Sequence, residues 1–152
     1  MDKNKQKIAF SFLIAIFLAA FEGVVVSTAA PVIVKSLHNF KMISWIFSIF
    51  LLTSAISTPI YGKLADLYGR KRIFMIGISI FLFGSLLAGL SQTMHQLIIF
   101  RGIQGIGAGA IFTIGFTMIG DIFTLEERSI IQGAISTIWG IAGLVGPLLG
   151  GF

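Results

Sequence analysis

Three side chains stand where apolar residues are the rule. Glu22 is the one charge between Ile8 and Val34, Arg101 is the one charge between Leu97 and Gly120, and Gln104 follows Arg101 by one helical turn. An acidic or basic residue at the centre of a membrane-crossing helix costs roughly 2.5–3.5 kcal/mol, so it normally faces a polar cavity or a partner. Glu22 sits 14 residues into its apolar run, a depth of about 21 Å at 1.5 Å per residue. A carboxyl group there suits proton or cation binding along a pathway; the plainer reading is an acid hydrogen-bonded between helices. Arg101 cannot shed its charge, because a guanidinium keeps its proton in proteins. It needs an acceptor, and Glu22 is one candidate. Four residues past Leu97, Arg101 could instead snorkel to the headgroups as an interfacial anchor. Gln104 lies on the same helical face, which favours a buried polar seam.

The elements that must position these groups follow from composition. The chain has 152 residues, 11% charged and 56% hydrophobic, with a mean hydropathy of +0.98. Soluble domains carry about 25% charged residues, so a soluble domain is excluded and a lipid bilayer is the solvent that fits. A spanning helix needs about 20 mostly apolar residues. Charge-poor runs at 8–34, 42–62, 73–90, 97–120 and 130–152 predict five of them, hence an all-α polytopic transmembrane bundle. Barrel strands are excluded, because the runs are continuously apolar and too long for strands of about 10 residues. The first run follows Lys3, Lys5 and Lys7, but it exceeds the roughly 7–15 apolar residues of a signal peptide and is expected to stay in the protein.

Lys and Arg set the orientation. Lys3, Lys5, Lys7, Lys63, Arg70, Lys71, Arg72 and Arg128 fall on one side, against Lys35 and Lys41 on the other. The N-terminus is therefore expected in the cytoplasm, with connections 63–72 and 121–129 on the same side and 35–41 and 91–96 outside. The net charge of +5 belongs to this bias; with no basic face or interleaved aromatics, no nucleic-acid partner is expected.

Glycine carries the next signal. Gly105 with Gly109, and Gly146 with Gly150, stand four apart, a spacing that lets helix backbones approach. Pro147 removes a backbone donor and should kink the fifth helix. The connection from Gly62 to Arg72 carries Asp66 among basic residues, with Gly62 and Gly69 suited to a tight turn and close helix contact. Asp121, Glu126, Glu127 and Arg128 form a counterpart in the next connection on that side. Such a cluster could latch one conformation and break in another, or be a solvated loop whose pairs contribute about 0–1 kcal/mol each.

Taken in order, these segments resemble the N-terminal part of a major facilitator superfamily transporter. Gly62 to Arg72 is similar to the loop signature G-x-L-A-D-[RK]-x-G-[RK]-[RK], departing at Leu67. The resemblance implies that Asp66 and Arg70 join a charge network with Asp121 and the Glu127-Arg128 pair. Arg101 to Ala108 resembles R-x-x-Q-G-x-G-A, whose arginine is implicated in proton coupling. Gly146-Pro147-Leu148-Leu149-Gly150-Gly151 resembles the antiporter motif G-P-x-x-G-G, with Ala142 where a further glycine is frequent. Glu22 to Pro31 is similar to the helix-one signature of the fourteen-helix drug/proton antiporter branch, keeping the acid, Val25, Val26, Ala29 and Pro31.

The family fold has two six-helix halves built of inverted repeats, with substrate between them. The resemblance thus implies that residues 1–152 form an incomplete N-terminal transmembrane domain, with C-terminal helices of the same transporter as partners. The implied function is proton-coupled efflux of small amphipathic molecules by alternating access; the short loops and the lack of a targeting segment fit a bacterial cytoplasmic membrane. An uptake symporter and a non-transporting remnant or structural subunit are the alternatives. No enzyme is expected: His38 and His95 have no metal-ligand spacing, no serine or acid pair is set for nucleophilic chemistry, and there is no cysteine. Neither a metal nor a cofactor is implied.

Overall fold

The computed structural model describes residues 2–150. Five α-helices run Lys3–Leu37 (α1), Ile43–Tyr68 (α2), Arg70–Gly89 (α3), Met94–Ile122 (α4) and Leu125–Gly150 (α5), with a 3-10 turn at Phe40–Met42. The all-α, five-helix expectation holds. All five are long and apolar enough to cross a membrane.

The helices outrun the apolar runs that announced them. Hydropathy marks where lipid is tolerated, whereas hydrogen bonding continues until a residue stops it. Lys63, Leu64, Ala65 and Leu67 are good helix formers, so α2 continues to Tyr68 and Gly62 lies inside it. The connection expected over 63–72 shrinks to Gly69. Its N–H closes α2 on the Ala65 carbonyl at 3.0 Å, its own carbonyl accepts from Ile73 at 3.3 Å, and its φ of +92° with ψ of 134° is open to glycine but hardly to other residues. His95, expected in an outer connection, is the second residue of α4.

The start of α5 is also a local matter. Thr124 and Glu127 form a capping box: the Thr124 N–H donates to Glu127 Oε2 at 3.1 Å, and the Glu127 N–H donates to Thr124 Oγ1 at 3.4 Å. Pro31, Pro59 and Pro147 each sit inside a helix that runs through them. Each costs its helix one backbone donor.

The described residues form two compact units. The first holds α1 up to Pro31, the end of α4 from Phe116, and α5. Ala9, Phe12, Ile16, Ala19 and Ala20 recur at helical spacing on α1 and are buried with Ile119, Phe123, Ile131, Ile135 and Ala142. Phe12 meets Phe116 edge-on, with ring centroids 5.6 Å apart.

The second unit, residues 32–115, is built of α2, α3 and the first part of α4. Ile73, Phe74, Gly77, Phe81 and Gly84 mark the inner face of α3. Residues 107–111 of α4 are all buried, as befits a helix enclosed on several sides. In α2 the reverse holds, with Leu51, Leu52, Ile56 and Ile60 all more than half exposed. A face of that kind suits acyl chains or further protein.

Candidate functional site

In the second unit, Arg101 is 2% exposed and Gln104 fully buried. This burial excludes snorkelling as the role of Arg101. One turn of α4 brings Arg101 Nη1 to Gln104 Oε1 at 2.6 Å. Because arginine has only donors, this bond orients the Gln104 amide with its oxygen toward the guanidinium. The amide nitrogen, on the other side, has no hydrogen-bond partner among the described residues. Over the guanidinium lies the ring of Phe50 from α2, 4.3 Å from centroid to Cζ.

Glycines bring these groups together. A Cβ on Gly84 of α3 would stand 2.7 Å from the Gln104 nitrogen and 2.8 Å from its Cα. On α4, a Cβ on Gly105 would run into the Phe50 carbonyl and Thr53 Oγ1, and one on Gly109 into Ser57 Oγ. Gly107 faces α3, at the backbone of Phe81 and the Gly77 carbonyl. Gly105 and Gly109 thus serve α2, and Gly107 serves α3. Ser57 Oγ completes the α2 seam by donating to the Ile106 carbonyl at 3.3 Å.

Glu22 belongs to the first unit. It is half-buried on α1, directly after Phe21, whose ring stacks on Phe17 at 5.7 Å. Two residues on, the Val24 side chain occupies the notch that Gly146 leaves on α5. Thr28 Oγ1 donates to the Val24 carbonyl at 3.0 Å and stands 3.5 Å from the Gly146 carbonyl. Pro147 follows inside α5 and Gly150 ends it; Gly151 lies outside the described residues.

The charged residues of the motif ends are distributed as follows. Asp66 and Arg70 are 4.0 Å apart, with the Asp66 side chain 74% exposed, so the pair contributes about 0–1 kcal/mol at most. In the first unit, Arg128 donates to the carbonyls of Gly120 and Phe123 and closes the end of α4. Asp121 lies in that last turn of α4. Lys5 approaches Glu127 at 3.3 Å and the Phe123 ring at 5.8 Å.

The two motif glycines of this segment separate cleanly. Gly69→Ala should cost about 1–3 kcal/mol for the disfavoured backbone. Gly62→Ala would meet only Thr113 Cγ2 at 3.9 Å and should be neutral or gain up to about 1 kcal/mol of helix propensity. Unfolding of each variant in mixed detergent micelles measures both; equal losses at the two positions would contradict this account.

Three features escaped the sequence reading. Phe50 is one of 15 phenylalanines and carries no local mark. Gly77 and Gly84 are seven apart on α3, a two-turn spacing that was open to inspection. The Thr124-x-x-Glu127 box is a legible start signal.

Five helices of spanning length, with an Arg-Gln pair buried in the second unit, define a polytopic membrane protein with polar groups in an apolar helix. The sequence signature described as Major Facilitator Superfamily matches residues 12–152, so the chain belongs to that family, whose members are transporters and not enzymes. It is 43% identical over 143 residues to Multidrug resistance protein 3 of Bacillus subtilis, covering 94% of this chain and 28% of the relative. It is 44% identical over 140 residues to the multidrug transporter protein MdtP of the same organism, covering 92% of this chain and 26% of the relative. Efflux pump dotC of Dothistroma septosporum shares 40% over 138 residues, 91% of this chain and 24% of its own length. The chain spans about a quarter of the length of these curated relatives.

Proposed function

We propose that this chain is the N-terminal part of a proton-coupled efflux transporter for small amphipathic molecules, working by alternating access with the helices that follow in its relatives. The observation that carries this reading is the 40–44% identity to three proteins named for multidrug resistance, multidrug transport or efflux. In it, Glu22 carries the exchanged proton and Arg101 supplies a permanent interior positive charge oriented by Gln104. The segment holding Asp66 and Arg70, with Asp121 and Arg128, steadies one of the two access states. Gly146 and Pro147, with Gly150 and Gly151, shape the end of α5. The excess of lysines and arginines at the chain start and around Gly69 supports a cytoplasmic N-terminus.

The test is made on the full-length transporter in everted membrane vesicles, with tetraphenylphosphonium as probe. Addition of the probe should release protons from energised vesicles. Glu22→Gln keeps the shape of the side chain and removes its titration, and should abolish that release at unchanged protein level. Proton release by the Gln variant at the unaltered rate would remove Glu22 from the mechanism. Absence of release from the unaltered protein would overturn the efflux reading.

A further inference from the structure

A guanidinium presents two different surfaces. Its donors lie in the plane of the group, and its two faces carry none. In this protein Arg101 Nη1 donates to Gln104 Oε1 at 2.6 Å, and the guanidinium carbon lies over the Phe50 ring, 4.3 Å from its centroid. A cation within about 6 Å of an aromatic centroid is attracted by the ring quadrupole, and more strongly when water is excluded. Arg101 meets that condition at 2% exposure. The contact is also held from behind. Gly105, one residue after Gln104, has no Cβ to push away the Phe50 carbonyl, and Gly84 admits the Gln104 backbone from the α3 side. These contacts fix the separation of the α2 and α4 backbones beside Phe50, and of α3 and α4 beside Gln104.

We propose that Phe50 is the positioning residue for Arg101: its ring face and the Gln104 amide hold the guanidinium in one orientation inside the protein. The ring attracts the charge without accepting a proton and without titrating itself, so its hold on the cation does not depend on the protonation of the residue at position 50. A leucine or methionine at position 50 would fill similar space and supply no such attraction. The consequence for exchange rests on the efflux reading above; the hold on Arg101 does not.

The test separates ring electronics from packing. In the full-length transporter, position 50 is substituted with 3,4,5-trifluorophenylalanine, which keeps the shape of the ring and drains its face of negative charge, and with Phe50→Leu, Phe50→Met and Phe50→Tyr. Two readouts are taken: exchange of tetraphenylphosphonium for protons in everted vesicles, and the rate at which phenylglyoxal modifies Arg101, followed by peptide mass spectrometry. Exchange should fall about threefold with the fluorinated ring and about tenfold or more with Leu or Met, and Tyr should restore it. Arg101 modification should quicken in the same order. A fluorinated variant indistinguishable from phenylalanine in Arg101 modification would overturn the proposal, and this holds even if Leu fails to accumulate. No exchange in the unaltered protein would count against the efflux reading alone, and the phenylglyoxal series would still decide the role of Phe50.

Discussion

On the efflux reading, Arg101→Met in the full-length transporter should abolish most of the exchange while leaving the fold nearly as stable as before. Two terms oppose each other in stability. Removing the charge relieves the penalty of holding a cation at 2% exposure, and replacing buried ionic groups by apolar ones of similar volume is often neutral or stabilising. Against this, Gln104 Oε1 loses its donor in a site with no exposure, a loss of about 1–3 kcal/mol. The expected net change is within about 2 kcal/mol of zero.

Function has no such cancellation. A hydrogen bond to a charged group contributes about 1.5–3 kcal/mol, so loss of the oriented cation should slow exchange about tenfold to a hundredfold. Arg101→Lys restores the charge but not the planar fork, and should recover little. Proton release in everted vesicles and unfolding in mixed micelles, measured on the same preparations, check the divergence. A lysine variant that exchanged at the unaltered rate would show that a point charge suffices.

Gly107→Val has the second largest expected effect, and it runs the other way: stability falls first. A Cβ at this position would overlap the Phe81 backbone nitrogen and stand 2.7 Å from the Gly77 carbonyl and from Phe81 Cα. Ordinary carbon contacts are about 3.5–4.0 Å, so α3 would have to retreat by roughly 1 Å. Its neighbours would lose dispersion contacts along the seam, because a gap of that width already forfeits a quarter to a half of each pair's attraction. Gly107→Ala should cost about 1–3 kcal/mol, in the range of overpacked cores, and Val more.

Gly133→Ala provides the contrast, since nothing lies within 4 Å of the added atom; it should gain up to about 1 kcal/mol of helix propensity. Steric trapping or denaturant titration in detergent would rank the three. A Val variant as stable as the parent would mean that α3 and α4 are not in backbone contact at Gly107.

The part of this protein legible without coordinates is the part governed by lipid and by local backbone chemistry. Long charge-free runs announce helices because no other open chain conformation satisfies its own hydrogen bonds in a bilayer. Helix ends were harder. Hydropathy placed the end of the second helix at residue 62, and the helix runs to Tyr68, because Lys63, Asp66 and their neighbours leave lipid without leaving the hydrogen-bonded spiral. The stop is Gly69, whose positive φ ends the spiral. The capping box at Thr124 was equally local and needed only the right template.

The site divides along the same line. Residue type and spacing singled out Arg101 and Gln104, because a permanent charge and an amide one turn apart in an apolar run stand out in any sequence. That Gly105 and Gly109 allow close approach also followed from spacing. Which helix approaches which glycine did not: α2 meets Gly105 and Gly109, α3 meets Gly107, and Gly84 of α3 receives Gln104. Sequence by itself determined that five helices cross an apolar phase and that an arginine lies within one of them. Only tertiary structure decided that Phe50, 51 residues away along the chain, covers that arginine. The physical reason is that burial energy depends on the amount of apolar surface and is blind to its partner, whereas a face-on cation contact exists only where two helix backbones are held at one separation and one rotation.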